Sequence, residues 1–594
     1  MTALTTRWTS RTRLSLRVAA FVAAAACVLT VAASAAVAPS GPPTAIGTGG
    51  AAASVETLAT QAAIDTLKKG GNAIDAAVTA AGVLGVTEPF SCGIGGGGFM
   101  VIRTADGRVV TIDGRERASA AMTPTSFWEN GVPLPFNDAR FSGMSVGVPG
   151  TVATWENALE KYGTISLAQA LQAGIRVARD GYVIDQTWFD QANSVGDWFG
   201  DVPASAKLFL DPDGTVKDVG TVFTNPELAA TYERIAHLGP KGFYRGAVAD
   251  AIVNTVQQPV ISPTANHVWR PGLMTMQDLH RYVAPERAPT HVTYRGLDVY
   301  SMGPPSSGGS TIGEALNILE GYPLSSMSRV DALHYFLEAS RYSFADRNAY
   351  LADPDYYDVP LAGLLSKNYA ATRRALITPS AAPGAVAPGN PYPYDTGVAA
   401  ATALQSETTT HLVTSDKLGN VVSYTFTIES TGGSGLVVPG FGFLLNNELT
   451  DFNYDSTTHP NRVESGKRPR SSMAPTIILE DGKPFLAVGS PGGSTIITTV
   501  LQILVDRLDQ GLTLPQAIAD PRASQRNGVN TSAEPAFLSL PERAALEARG
   551  HHFVNGGEIG AATGIEFLPG GAMLAAAEPV RRGTGSAMVE GPTP

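Results

Sequence analysis

A five-residue turn, Asp416-Lys417-Leu418-Gly419-Asn420, separates two stretches rich in β-forming residues, 411–415 and 421–426. This arrangement constrains the fold more than any other part of the chain. Gly419 suits a left-handed turn position. A loop of three or five residues centres on Leu418, so Thr409 faces Thr427 across the hairpin with Cβ atoms about 5 Å apart. Thr425, Thr427 and Glu429 share one face through the two-residue period of a strand. A loop of even length would turn one strand over and undo this pairing.

The residues leading into the hairpin read Glu407-Thr408-Thr409-Thr410-His411. A threonine hydroxyl is a weak nucleophile alone, but a free α-amine titrates at about 7.7–8.0 and can take the hydroxyl proton near neutral pH. Cutting the bond between Thr408 and Thr409 would therefore give Thr409 a nucleophile and a base in one residue. Its branched Cβ limits χ1 and holds Oγ in few directions. Threonines also fill strands for packing alone, so the assignment depends on what else the chain carries.

Two glycine- and charge-marked stretches precede the hairpin, Gly93-Ile94-Gly95-Gly96-Gly97-Gly98-Phe99 and Ile112-Asp113-Gly114-Arg115-Glu116. Three follow it: Leu445-Asn446-Asn447-Glu448-Leu449-Thr450-Asp451-Phe452, Lys467-Arg468-Pro469-Arg470-Ser471-Ser472-Met473, and Gly489-Ser490-Pro491-Gly492-Gly493-Ser494. With Thr409-Thr410-His411 they appear in the order in which the γ-glutamyltranspeptidase family of N-terminal-nucleophile hydrolases carries them, and the chain resembles that family from Gly47 to Glu590. The resemblance implies an α/β fold, a four-layer αββα sandwich. It implies a precursor that cuts itself between Thr408 and Thr409 into a large subunit, residues 39–408, and a small catalytic subunit, residues 409–594. The two are expected to stay together as a heterodimer in one intertwined domain. The implied activity is cleavage of γ-glutamyl amides such as glutathione through a γ-glutamyl-threonine ester, with the group passed to water or to an amino acid or peptide.

Each carried-over residue also has a physical reading. The donor is zwitterionic at its α-carbon. Arg115 offers a planar fork for the carboxylate, and Ser471 and Ser472 match the family's serine pair as added hydroxyl donors. Glu429, Glu448 and Asp451 stand at the positions the family uses for the α-ammonium. Glu429 replaces the asparagine, and Glu448 the glutamine, of many members, although some bacterial members carry glutamate at both. Three carboxylates around one ammonium should raise at least one pKa through like-charge repulsion. Residues 485–488 read as a strand and 496–508 as a helix with Ser494 near its start, so Gly492 and Gly493 can present N–H groups to an oxyanion. Thr427 is expected to position the Thr409 hydroxyl. Residues 453–466 occupy the place of a lid in long-lidded relatives but are shorter; a Tyr454 that cannot close over the donor would favour hydrolysis.

Other features are set aside. The glycines at 93–98 formally fit a dinucleotide pattern, but a helix precedes them and a strand follows, the reverse of what that turn requires. The histidines lack metal-ligand spacing, and His411 is read as structural. No cofactor or metal is expected.

At the N-terminus Arg7, Arg11, Arg13 and Arg17 precede an apolar run over residues 18–38 with small-residue cleavage sites, the pattern of an export signal at residues 1–38. The run is long enough to anchor the chain if uncut. Cys27 lacks a lipobox, and with the signal gone Cys92 is the only cysteine, so no intrachain disulfide forms. The net charge of −11 becomes more negative without that arginine-bearing segment, which argues against nucleic acid as a partner. Residues 378–397, rich in proline, alanine and glycine, form the strongest internal break and read as a mobile segment ahead of the cut. Two alternatives stay open: a glutaryl or cephalosporin-type acylase, and an exported binding protein without activity.

Overall fold

The computed structural model describes residues 43–395 and 409–592. The segment read as an export signal, residues 1–38 with Cys27, lies outside the described residues, as does Thr408.

Thirteen strands form one continuous antiparallel sheet. In chain order they are β1 (Thr44–Ser54), β2 (Gly97–Arg103), β3 (Val109–Gly114), β4 (Glu286–Arg287), β5 (Thr290–Tyr294), β6 (Leu297–Ser301), β7 (Thr410–Ser415), β8 (Val421–Thr427), β9 (Thr476–Glu480), β10 (Lys483–Gly489), β11 (Thr563–Phe567), β12 (Met573–Ala577) and β13 (Ser586–Pro592). The long strand β1 divides this sheet into two leaves. Its first residues, Thr44 to Gly47, pair with β12, whereas Ala51 to Ser54 pair with β7, and the register against β13 shifts between Thr48 and Ala51. One leaf runs β4-β3-β2-β8-β7-β1-β13 and the other β1-β12-β11-β10-β9-β6-β5.

Alternation along β8 explains why the leaves stack. Val422, Tyr424 and Phe426 enter a core with helices α1 (Thr57–Lys68), α2 (Ala73–Thr87) and α3 (Thr151–Tyr162). Helix α2 is buried along its whole length, as a helix apolar on every side must be, and Asn72 caps it in a reciprocal pair with Asp75. Val421 and the β2 residues Phe99 and Val101 enter a second core with Leu486, Val488 and Ile565 of the other leaf. The outer face of that leaf is covered by α4 (Gly308–Leu319), α5 (Arg329–Tyr350) and α6 (Thr495–Leu508). The layers are thus helices, leaf, leaf, helices, the αββα order.

The segment read as mobile is pinned as far as residue 395. Val386 exchanges two hydrogen bonds with the Asn527 side chain at 2.7 and 3.0 Å, Arg341 donates to the Gly384 carbonyl at 2.9 Å, and the Gly389 N–H donates to Asp346 at 2.6 Å. Composition misleads here because polar side chains of the folded core satisfy the backbone of a stretch with no regular structure of its own. Cys92 is buried and free, and among the described residues no helix is long and apolar enough to cross a membrane.

Candidate active site

Strands β7 and β8 pair with Thr410 opposite Phe426 and Ser415 opposite Val421, which sets Thr409 beside Thr427. Asp416 holds the turn by accepting from the Leu418 and Asn420 N–H groups at 2.8 and 3.1 Å, and Gly419 takes φ +88°. A Cβ on Gly96 would stand 1.8 Å from the Thr427 carbonyl oxygen, so β8 reaches this position only over glycine. The Thr409 hydroxyl donates to Thr427 Oγ1 at 3.4 Å, and Thr427 Oγ1 also accepts from the Glu429 N–H at 2.8 Å. Arg582 Nη1 donates to the Thr409 carbonyl at 3.0 Å. The buried Thr409 therefore has partners for both its hydroxyl and its carbonyl. His411 faces Thr425 instead, with Nδ1 2.8 Å from Thr425 Oγ1, and burial holds its pKa down at about 3. So weak a base has no place in proton transfer near neutral pH.

Arg115, Thr409, Thr427, Glu429, Glu448, Asp451, Ser471, Ser472 and Gly493 line one cavity; Gly492 is not among its lining residues. A short helical turn, Glu448–Asp451, aims two carboxylates at Arg115. Arg115 Nη1 donates to Glu448 and Nη2 to Asp451, while Nε and Nη2 donate to the Pro469 and Arg470 carbonyls, each at 3.0 Å. Burial opposes its charge, but Glu448, Asp451 and Glu116 together push its pKa up, so it remains a cation. The fork assigned from sequence to the donor's carboxylate is shared here by two acidic side chains.

Glu429 follows β8 at φ +78°, a left-handed conformation in which asparagine is strained less than glutamate. Its Oε2 accepts from the Ser430 hydroxyl and, at 2.5 Å, from Asn447 Nδ2. Burial first, then Asp451 and Glu448, hold its pKa well above the usual carboxylate range. Glu448 is raised chiefly by burial, against the pull of Arg115, with Glu116 and Asp451 adding to the rise. The sequence argument names like-charge repulsion; burial is the larger cause.

Opposite the acids, Ser471 Oγ accepts from the Met473 N–H at 3.1 Å. Gly492 and Gly493, at φ +128° and +51°, form the turn between β10 and α6. The Thr495 hydroxyl donates to the Gly492 carbonyl at 2.7 Å and the Ile496 N–H to the Gly493 carbonyl at 3.1 Å. Among the described residues neither glycine N–H has an acceptor. Two unspent donors at a helix N-terminus suit a developing oxyanion.

The short lid segment is a braced loop. The Asn453 N–H donates to the Asn461 carbonyl at 2.8 Å, and Asn461 Nδ2 to the Asp451 carbonyl at 2.7 Å. Tyr454 packs on Phe127 with ring centroids 5.1 Å apart, its carbonyl accepts from the Trp128 indole at 2.6 Å, and it does not line the cavity.

Sequence reasoning missed Met473 and Ile496 on the wall, Asn447 on Glu429, Arg582 on Thr409, and Arg347, which donates to Ser472. Asn447 and Met473 stand inside motifs already marked. Nothing local to Arg347 or Arg582 signals a role, because both come from elements distant in the chain. Among the described residues no group of three or more His, Cys, Asp or Glu side chains is arranged to hold a metal.

Comparison with known proteins identifies a family. A family model described as gamma-glutamyltranspeptidase matches residues 59–588. The glutathione hydrolase proenzyme of Escherichia coli (strain K12) is 36% identical over 534 residues, covering 87% of this chain and 88% of that protein. The glutathione hydrolase proenzyme of Bacillus subtilis (strain 168) is 40% identical over 470 residues, covering 77% of each. The crystal structure of cephalosporin acylase from Bacillus halodurans superposes with a TM-score of 0.82 at 30% identity, covering 93% of this chain and 97% of that one.

Proposed function

The chain belongs to the γ-glutamyltranspeptidase family, an enzyme family, and from that premise we propose an exported γ-glutamyl hydrolase and transferase that generates its own nucleophile. In the precursor Thr409 Oγ attacks the Thr408 carbonyl carbon. Collapse of the adduct breaks the peptide bond and frees the Thr409 amine, and water then hydrolyses the ester to release the Thr408 carboxylate and the Thr409 hydroxyl. In the processed heterodimer that amine takes the hydroxyl proton as Oγ attacks the donor's γ-carbonyl, with Thr427 accepting from the hydroxyl beforehand to orient it. Gly492 and Gly493 would stabilise the oxyanion; one such donor typically contributes about 3 kcal/mol at the transition state. The amine returns its proton to the leaving group, and water or the amine of an amino acid or peptide then takes the γ-glutamyl group. Glutathione is the proposed donor, as the names of the proenzyme relatives suggest.

One observation carries this reading: the Thr409 and Thr427 hydroxyls, three carboxylates and a serine pair meet in one cavity. Intact mass and N-terminal sequencing, alongside turnover of γ-glutamyl p-nitroanilide, test it. We expect two fragments, one beginning Thr409-Thr410-His411, an uncut Thr409→Ala variant, and an active parent. A single intact, inactive chain from the parent would overturn the reading and restore the alternative of a binding protein without activity.

The likeness to a cephalosporin acylase favours a second reading, a glutaryl-type acylase. A glutaryl group has no α-ammonium and would leave Glu429, Glu448 and Asp451 without a cationic partner. Direct competition between γ-glutamyl and glutaryl anilides separates the two.

A further inference from the structure

Arg347 is a buried cation with no acid of its own. It lies on α5, is 3% exposed, and among the described residues has no carboxylate within ion-pair distance. Its bonds run to neutral oxygens: Nη2 donates to Ser472 Oγ at 2.7 Å, Nε to Ser307 Oγ at 2.8 Å and Nη1 to Asn348 Oδ1 at 3.0 Å. Ser307 extends this hold to the neighbouring serine, because its N–H and hydroxyl donate to the Ser471 carbonyl at 2.9 and 2.5 Å. Burial, and then the nearby Arg470, lower the pKa of Arg347, while the charge of Asp451, which is beyond ion-pair distance, raises it in part. A charge kept under such conditions needs an anion close by.

The cavity places that anion. Ser472 Oγ accepts from Arg347, so its own hydrogen must be donated elsewhere, and among the described residues it has no acceptor. Ser472 lines the cavity with Glu429 and Asp451. Arg115, the cation that lines the cavity, already donates to Glu448, to Asp451 and to two carbonyls. We propose that Arg347 is the positioning residue for the donor's α-carboxylate: it aims the Ser472 O–H into the cavity and supplies, through it, the positive charge that Arg115 shares among its acidic neighbours. This rests on the γ-glutamyl reading above. Selectivity for an α-carboxylate then comes from a helix of the outer layer and not from the Arg115 motif alone.

The test compares γ-glutamyl p-nitroanilide with 4-aminobutanoyl p-nitroanilide, which keeps the amine but lacks the carboxylate. Arg347→Lys should raise KM for the first donor about tenfold, with kcat within about twofold, and leave KM for the second unchanged. In a Ser472→Ala background the same substitution should add nothing. An equal rise for both donors, no rise, or independent effects in the double variant would overturn the proposal. Ser472→Ala alone gives a check that does not depend on maturation of the Arg347 variant: preference for the carboxylate-bearing donor should fall about tenfold, and an unchanged preference also overturns it. A parent inactive on both donors would instead refute the γ-glutamyl reading.

Discussion

Glu429 and Glu448 make the acidic side of the cavity sensitive to pH. Both carboxyls are held above their usual range, so protonation removes the charges that an ammonium needs while much of the protein is unaffected. We predict that kcat/KM for a γ-glutamyl donor falls as pH drops through these raised values, and that Glu429→Gln weakens the acid limb of the pH profile. A variant profile superimposable on the parent's would exclude Glu429 from ammonium binding. Thr427→Val removes the acceptor that orients Thr409 while keeping the side-chain shape, and should lower kcat about tenfold or more with little change in KM; a fall confined to KM would contradict an orienting role. At this scale the sequence was informative where residues lie within short motifs. It was silent on Arg347 and Arg582, whose partners come from segments far away in the chain.

The hairpin of β7 and β8 was legible as an element because turn chemistry and the two-residue period fix its register together. The β10–turn–α6 unit was legible for the same reason, glycines between an apolar strand and a helical pattern. Bracing of the segment up to residue 395 was not, because its hydrogen bonds run to side chains such as Asn527 and Asp346 that no local pattern marks. The glycines at 93–98 looked like a nucleotide motif and are a packing device. Gly96→Ala would set a methyl group against the Thr427 carbonyl and force β2 from β8. We expect a loss of at least about 2 kcal/mol in denaturant unfolding, with impaired cleavage at Thr409; a variant as stable and as fully processed as the parent would show that the close approach is dispensable.

Across the whole molecule, buried carboxyls that do not line the cavity add their own pH dependence. Asp506 on α6 is pushed up to about 8, by burial first and Asp520 second, and Glu116 is pushed up to about 8 chiefly by burial. An unfolded aspartate titrates near 3.9. The folded state therefore holds these protons more tightly, and their stabilising contribution is full below the unfolded values and lost as pH rises towards about 8. The melting temperature should fall between pH 5 and 8.5 by less in Asp506→Asn than in the parent. Equal slopes would mean that Asp506 ionises in the folded protein without cost. The four-layer order itself was reached through family resemblance, since composition and periodicity gave only alternating helices and short strands. The division of β1 between two leaves has a consequence for ownership. Along the sheet, strands from before residue 395 and strands from after residue 409 alternate in blocks: β4, β3 and β2, then β8 and β7, then β1, then β12 to β9, then β6 and β5. A chain cut after residue 408 cannot part without tearing hydrogen-bonded edges at several places at once. Two variants mixed after maturation should yield no hybrids, so each molecule keeps for life the partner it was synthesised with.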